Sequence, residues 1–211
     1  MDALDHLAGP AGELLERVDD LLARWGAPDD HPIWPLLRRV CALPGEVCAA
    51  VVALSRDPLD AVTRDVGVHV RDYQEVRAAL STPVAWDGAA GDAFAAHRAG
   101  LADGAAAAGE DLAATAAAAD EVAEWIDRSR RELAAVLGEV IASAEAVEVV
   151  SGSTGAASAA ATIGVCVLAA VDTVIDDGDA ILRTTATAGV HRATRVAAGP
   201  SGYDRTTRVR F

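Results

Sequence analysis

Apolar residues recur every three or four positions over much of the chain, which is the spacing of a helix with one buried face. The first such run covers residues 3–25, where Gly9 and Pro10 are expected to split the helix. Two shorter helices are predicted to follow, the second starting at Pro44, whose fixed φ suits a first helical turn. We predict that residues 1–56 form a set of accessory N-terminal helices.

The longest pattern predicts two helices that run antiparallel between residues 57 and 147. Asp57 and Pro58 supply a cap and a first-turn proline for the first helix. Pro83 ends that helix, and an alanine-rich helix then runs from about residue 89 to 147. We predict that the helices pack through an apolar face made of Val62, Val66, Val70, Tyr73, Val76, Leu80, Phe94, Leu112, Val122 and Ile126.

The connection between these helices contains the tripeptide Trp86-Asp87-Gly88. An indole is large enough to plug the bend of two helices, so we expect Trp86 to be buried there. Gly88 lets the backbone turn sharply, and Asp87 is the expected N-cap of the second helix. The sequence therefore predicts a tight Trp-Xaa-Gly turn at the end of a helical hairpin.

Trp86-Asp87-Gly88 between two helices, followed by small residues and Phe94, resembles the WXG helical-hairpin family of type VII (ESX) secretion systems. The resemblance covers residues 57–147 and makes the chain similar to an extended, actinobacterial-type member. It implies a secretion substrate, or a helix-pairing partner or adaptor of one, that acts by protein–protein association without catalysis. The implied partner is a second copy or another WXG-like protein in a four-helix bundle, with the secretion ATPase or a toxin as further contacts.

The chain also departs from the family pattern. Members or their partners often carry a tyrosine followed four positions later by an acidic residue, but here Arg77 follows Tyr73 and Thr207 follows Tyr203. The N-terminus lacks the basic region and apolar run of a signal peptide. The resemblance implies a protein that is cytoplasmic before export by a type VII system. The missing signal leaves three alternatives: the chain is the half of a pair that lacks the signal, it uses a degenerate signal, or it is not secreted.

Composition supports an all-α fold. Alanine is abundant and aromatic residues make up 4 % of the chain, which favours closely packed helices over a sheet. The formal net charge is −14, and every basic residue is arginine. Residues 183–211 nevertheless carry six arginines and one acidic residue. An acidic body argues against nucleic-acid binding, while the basic segment would fold onto that body, meet an acidic partner or lipid, or stay solvated.

Residues 148–182 are expected to form an apolar C-terminal helix, with its buried part at about 156–182. The uncharged stretch 149–171 is long enough to span a bilayer, but its flanking residues are acidic, contrary to a typical membrane span. Membrane contact remains the less favoured alternative. Residues 183–211 are predicted to form either a small β-hairpin, from 190–196 and 203–211, or a disordered tail.

No catalytic, cofactor or metal site is predicted. The five histidines and three cysteines lack the spacing of metal ligands, and no nucleophile motif is present. We therefore predict a protein that is not an enzyme. The alternatives to the secretion role are a targeting or adaptor component of a polymorphic toxin locus and a membrane-interacting helical effector. An enzyme built on a helical bundle would require a pocket with converging titratable groups.

Overall fold

Seven helices make up the described part of the chain, and the prediction of an all-α fold is confirmed for these residues. The computed structural model describes the backbone of residues 1–197 and the side chains of residues 1–187. The helices are α1 (Ala3–Trp25), α2 (Ile33–Val40), α3 (Pro44–Ala53), α4 (Asp57–Ser81), α5 (Ala89–Ile141), α6 (Ala144–Ser151) and α7 (Ala156–Ala197).

Three predicted boundaries are wrong. Helix α1 continues through Pro10, which lies within its length. Helix α5 ends at Ile141, because the Ser143 hydroxyl accepts a hydrogen bond from the backbone N–H of Ala146 and starts α6. Helix α7 continues to Ala197, so residues 190–196 are helical and do not form the first strand of the predicted β-hairpin. Its second strand, 203–211, lies outside the described residues.

The hydrophobic core lies between α1, α2, α3, α6, α7 and the last part of α5. Helices α1 and α3 pack against α7 and α5, α2 packs against α7, and none of the three packs against α4. Residues 1–56 therefore belong to the core together with α7 and the last part of α5, and they do not cover the α4 side of the predicted hairpin. The leucine, isoleucine and valine faces of α1 and α7 bury more apolar area per residue than an alanine face does. The largest fully buried side chains include Leu4, Leu15, Ile33, Leu133, Leu137, Ile163 and Leu168.

Helix α7 supplies the central face of this core. Within the described residues it is the one helix long and apolar enough to cross a membrane by length and composition, and half of its apolar window is buried. Val167 and Leu168 are fully buried in the core, whereas Thr162 and Thr173 lie on the exposed face. Packing in the core is thus sufficient to account for the apolar character of this helix.

One buried arginine joins three separated parts of the core. The Arg130 side chain on α5 is only 10 % exposed, and its guanidinium contacts Asp2 at 2.7 Å and Asp5 at 2.6 Å. The same group donates to the backbone carbonyls of Val52 at 2.6 Å and Leu54 at 3.0 Å. Arg130 therefore connects the capped N-terminus of α1 to the C-terminal end of α3, where the helix dipole favours a positive charge.

A second charged contact joins α1 to α3. Both carboxylate oxygens of Asp19 accept from the backbone N–H of Gly45, at 3.0 and 3.1 Å. A Cβ at position 45 would lie 2.5 Å from that carboxylate, so glycine permits the close approach. Burial raises the pKa of Asp19 to about 6, the nearby negative charge of Glu46 adds to the rise, and the Gly45 N–H opposes it.

We expect the Asp19→Asn variant to lose part of the pH dependence of stability. Because the folded chain binds the Asp19 proton more tightly than the unfolded chain, this group lowers the free energy of unfolding as pH rises from about 4 to about 6. Urea unfolding at a series of pH values should show a steeper decline for the wild-type chain than for the variant. Parallel pH profiles would contradict the assignment.

Candidate functional site

Helix α4 and the first part of α5 form a projecting pair of helices, here called the arm and comprising residues 57–122. Among the residues that the structure describes, helix α4 packs only against α5, and none of its residues is buried. Contacts between the two helices pair the start of one with the end of the other: Arg56 with Asp127, Thr63 with Asp120, and Ala79 with Arg98. The helices are therefore antiparallel, and the 25 residues of α4 span about 37 Å.

The predicted packing face lies along this arm and is only partly covered. On α4, Val66, Val70 and Leu80 are partly buried, whereas Val62, Tyr73 and Val76 are exposed. On α5, Leu112 and Val122 are partly buried, Phe94 is exposed, and Ile126 is buried at the base of the arm. Alanine side chains on α5 are too short to enclose the larger side chains of α4, so two helices alone leave this face half open.

The connection at the end of the arm differs from the expected tight turn. Residues 82–88 separate α4 from α5, and Trp86 is 54 % exposed. The prediction of a buried indole is therefore wrong, because no third element among the described residues lies over the end of the arm to cover the ring. Trp86 instead packs on one side against Phe94, with ring centroids 5.6 Å apart in a tilted arrangement.

Two glycines shape this connection. Gly88 has a φ of +92°, a conformation that side chains with a Cβ rarely adopt, and it is the N-cap residue of α5. Asp87 is therefore not the N-cap, contrary to the prediction. A Cβ at Gly91 would overlap the Trp86 carbonyl oxygen, so only glycine allows the first turn of α5 to pass this close to the connection.

Arg98 fixes the end of α4 to α5. Its guanidinium donates to the backbone carbonyl of Ala79 at 2.7 Å and lies 5.8 Å from the centroid of the Phe94 ring. The contact with Ala79 satisfies a carbonyl at the C-terminal end of α4, and the ring contact is a cation–π interaction. Trp86, Phe94 and Arg98 thus form one ordered group at the end of the arm.

Trp86→Ala is expected to lower the free energy of unfolding by only about 1 kcal/mol or less, because the indole is more than half exposed and lies far from the core. Urea unfolding followed by far-ultraviolet circular dichroism measures this change. A loss of about 3 kcal/mol would mean that the indole is buried after all.

A groove runs along the line where α4 and α5 meet. At the end of the arm it widens to a cleft of about 370 Å³, which includes Trp86, Phe94 and Asp103 in its lining. A smaller cleft of about 160 Å³ lies beside Tyr73 and Gly109. Both clefts include Arg77 in their lining, and we call the two together the seam groove. From Phe94 to Ala113, its α5 side is about 28 Å long.

Exposed apolar side chains concentrate on the arm. The large hydrophobic residues that are exposed there are Val62, Val68, Tyr73, Val76, Val84, Trp86, Phe94 and Leu101. On the rest of the described chain they are Met1, Trp25, Val147, Val150 and Leu182. Residues 57–122 also contain twelve acidic and four basic side chains, a net charge of −8. The arm is therefore an acidic surface with an apolar seam, as expected of a protein-binding element.

Some residues of this surface are absent from the sequence-based prediction. Arg98 and Leu101 follow Phe94 at four and seven positions, which places all three on one side of a helix. That spacing was the signal by which the sequence could have indicated the α5 residues at the end of the arm. Val84 carried no such signal, since it lies in the connection, where no helical period applies.

The described residues do not bring together a set of catalytic groups. No cluster of three or more His, Cys, Asp or Glu side chains within them could hold a metal ion. Cys41 and Cys166 are exposed and Cys48 is buried, all as free thiols, and burial raises the pKa of Cys48. The chemistry of the seam groove, with aromatic rings beside carboxylates and guanidinium groups, is suited to binding a polypeptide.

Comparison of the chain with protein-family models, curated proteins and solved structures gives no match. Inference about function therefore starts from the arm and its seam groove.

Proposed function

We propose that this protein acts by protein–protein association, through the pairing of its arm with the helices of a partner. The observation that carries the proposal is that, within the described part of the chain, α4 has no buried residue and packs only against α5. A two-helix layer leaves half of each apolar stripe in contact with water, and a second pair of helices would cover it in a four-helix bundle. Helices α1 to α3 do not pack on α4, so they leave this face available.

The partner that fits this face is another antiparallel pair of helices, either a second copy of this chain or a similar protein. Val62, Val66 and Tyr73 provide a helical row of the kind that interlocks with another helix. Trp86 and Phe94 at the exposed end would contribute aromatic contacts, which often dominate the energetics of interfaces. We infer that Trp86 contributes more to partner recognition than to folding.

The resemblance of Trp86-Asp87-Gly88 and its flanking helices to the WXG family gives this association a biological setting. We propose that the chain is a type VII secretion substrate, or the helix-pairing partner or adaptor of one, and that it has no catalytic role. The positive φ of Gly88 and the space required at Gly91 support a specialised turn at this position. Blotting of the secreted fraction from the native host, with and without the secretion ATPase, tests the export role.

Association is tested by light scattering coupled to size-exclusion chromatography. The single chain has a mass of 21.6 kDa, and we expect the protein, alone or co-expressed with a similar helical hairpin from its host, to elute as a dimer. Val76→Asp places a charge on the exposed face of the arm and should shift the elution to the single-chain mass. The matched control is Val147→Asp, an exposed valine on α6, which should leave the dimer intact.

Equal effects of both valine variants would contradict a role of the arm in pairing. A wild-type chain that stays at the single-chain mass with every helical-hairpin candidate, at concentrations of tens of micromolar, would contradict association itself, since such interfaces commonly reach micromolar affinity. Far-ultraviolet circular dichroism of each variant confirms that the helices are retained.

A further inference from the structure

We propose that the segment following α7, residues 198–211, docks into the seam groove and occupies it when no partner is bound. This inference rests on the proposed function of the groove as a partner-binding surface, and it adds a regulatory element within the same chain. The groove supplies apolar rings and carboxylates, and the segment supplies the complementary arginines and aromatic side chains.

The direction of α7 brings its end toward the arm. Ile163 on α7 lies beside Val140 on α5, while the Trp125 indole N–H donates to the Val174 carbonyl at 3.1 Å. Rising numbers on α7 thus meet falling numbers on α5, so the two helices are antiparallel. Helix α7 therefore advances in the direction in which α5 leads to the end of the arm.

The remaining length of chain is sufficient to reach the groove. Helix α7 extends 19 residues beyond Gly178, which lies beside Trp125, and this extension is about 28 Å long. From Trp125 to Phe94 along α5 the distance is about 46 Å. The difference of about 18 Å is well within the span of the 14 residues 198–211, which extend to about 46 Å. The segment is therefore long enough to reach the wide end of the groove.

The charges of the segment and the arm are opposite. Residues 198–211 carry three arginines and one aspartate, a net charge of +2, and the arm carries −8. Asp92 and Asp103 line the wide cleft, and Glu110 lines the narrow one, so carboxylates lie along the whole seam. Arg205, Arg208 and Arg210 supply partners for these groups. The rest of the chain is also acidic, so charge alone does not select the arm.

The apolar residues of the segment favour binding to the seam groove rather than to the rest of the acidic surface. In an extended conformation, Tyr203, Val209 and Phe211 point to one side, because they are separated by even numbers of residues. The exposed apolar side chains of the described residues lie mainly on the arm, and its aromatic pair Trp86 and Phe94 is at the wide end of the groove. An extended segment with an aromatic side and arginines thus matches the apolar and acidic lining of the seam groove.

The test is intramolecular photo-crosslinking in the full-length chain, with Tyr203 replaced by p-benzoyl-L-phenylalanine. We expect irradiation of a dilute sample to give a product of single-chain mass, with crosslinks that mass spectrometry maps to residues 77–103. The control carries the same photo-probe at Ala186, on an exposed turn of α7. Raising the salt concentration to 1 M, where the screening length is about 3 Å, should reduce the Tyr203 crosslinks.

A variant of the groove provides a second comparison in this experiment. Phe94→Ser combined with Asp103→Asn should lower the crosslinking yield severalfold while the helical signal in circular dichroism is unchanged. Crosslinks confined to residues 1–56 or 123–187, crosslinks found only between two chains, or a yield no higher than that of the Ala186 control would each overturn the proposal.

Partner binding is measured separately, so that the two proposals fail independently. A chain that ends at Ala197 should bind its helical partner about tenfold more tightly if the segment occupies the groove nine-tenths of the time. Equal affinity of the two chains would overturn the regulatory role of the segment without affecting arm pairing. Crosslinks to residues 77–103 in a chain that binds no helical partner would support docking and count against the proposed function.

Discussion

Replacing Arg130 by methionine is expected to lower the free energy of unfolding by about 3–5 kcal/mol, because it breaks a buried charged contact and removes the side-chain donor that the Val52 and Leu54 carbonyls share with the two carboxylates. The guanidinium holds Asp2 and Asp5 and donates to the carbonyls of Val52 and Leu54. Methionine keeps most of the apolar volume but none of these hydrogen bonds. Urea unfolding at neutral pH measures the loss.

The neighbouring Arg131→Met is the matched control, since Arg131 is exposed and its replacement should change stability by about 0.5 kcal/mol or less.

The same variants should also differ in how much stability they lose at acid pH. The Arg130 guanidinium holds the pKa of Asp2 below its usual range, and the pKa of Asp5 shifts in the same direction, chiefly through the Asp2 backbone N–H. Stability from these carboxylates is therefore present above pH 4 and is lost as pH falls through their lowered pKa values.

Arg130→Met should flatten that acid-side loss, whereas Arg131→Met should retain it. An Arg130→Met chain as stable as the Arg131→Met chain at neutral pH would show that the contact contributes nothing to folding. Arg130→Lys should recover part of the stability, since lysine keeps the charge but cannot reach two carboxylates and two carbonyls at once.

Gly164→Leu is expected to cost about 3 kcal/mol, through overpacking at the point where α7 meets α1, α2 and α3. A Cβ at this position would already lie 2.6 Å from the Ile33 Cδ1 atom and 3.4 Å from Pro44 Cγ. The larger leucine cannot fit unless the helices separate, which would expose Ile33 and Leu22 to water. Thermal and urea unfolding should both show the loss.

Gly138 provides the comparison for this position. It also lies inside a helix, but a Cβ there meets nothing within 4 Å. Gly138→Ala should therefore raise the free energy of unfolding by about 0.5–1 kcal/mol through helix propensity. Gly164→Ala gains the same propensity but must displace the Ile33 side chain. Its free energy of unfolding should therefore be lower than that of Gly138→Ala. Equal stability of the two alanine variants would contradict the close approach of α7.

Local rules were sufficient to locate most of the helices. Pro44 begins α3, as predicted, and Pro58 lies in the first turn of α4. Asp57 is the first residue of α4 and not its cap, because Arg56 occupies the N-cap position. These signals act within one turn of the chain, so a single sequence contains them. The end of α5 near Ser143 was missed because the helical period continues across it on both sides.

The same local rules do not predict which helices form the core. Helical spacing identifies an apolar face but not the face that it meets, and the α4 stripe proved to be the least buried of all. Arg130 is not distinguishable from Arg128 and Arg131 in the sequence, because its partners lie more than 70 residues away. The exposure of Trp86 likewise depends on which elements pack over the end of the arm, which local sequence does not specify.

Helix α5 belongs to the core at one end and to the arm at the other, so it acts as a lever. Residues 89–122 extend about 50 Å from the body as part of one continuous helix. A tilt of about 5° at the core end would move Trp86 by about 4 Å, simply from the length of the rod. Small changes in packing around Leu133 and Leu137 are thereby amplified into larger displacements at the far end of the arm. A force applied at that end is likewise transmitted to the core.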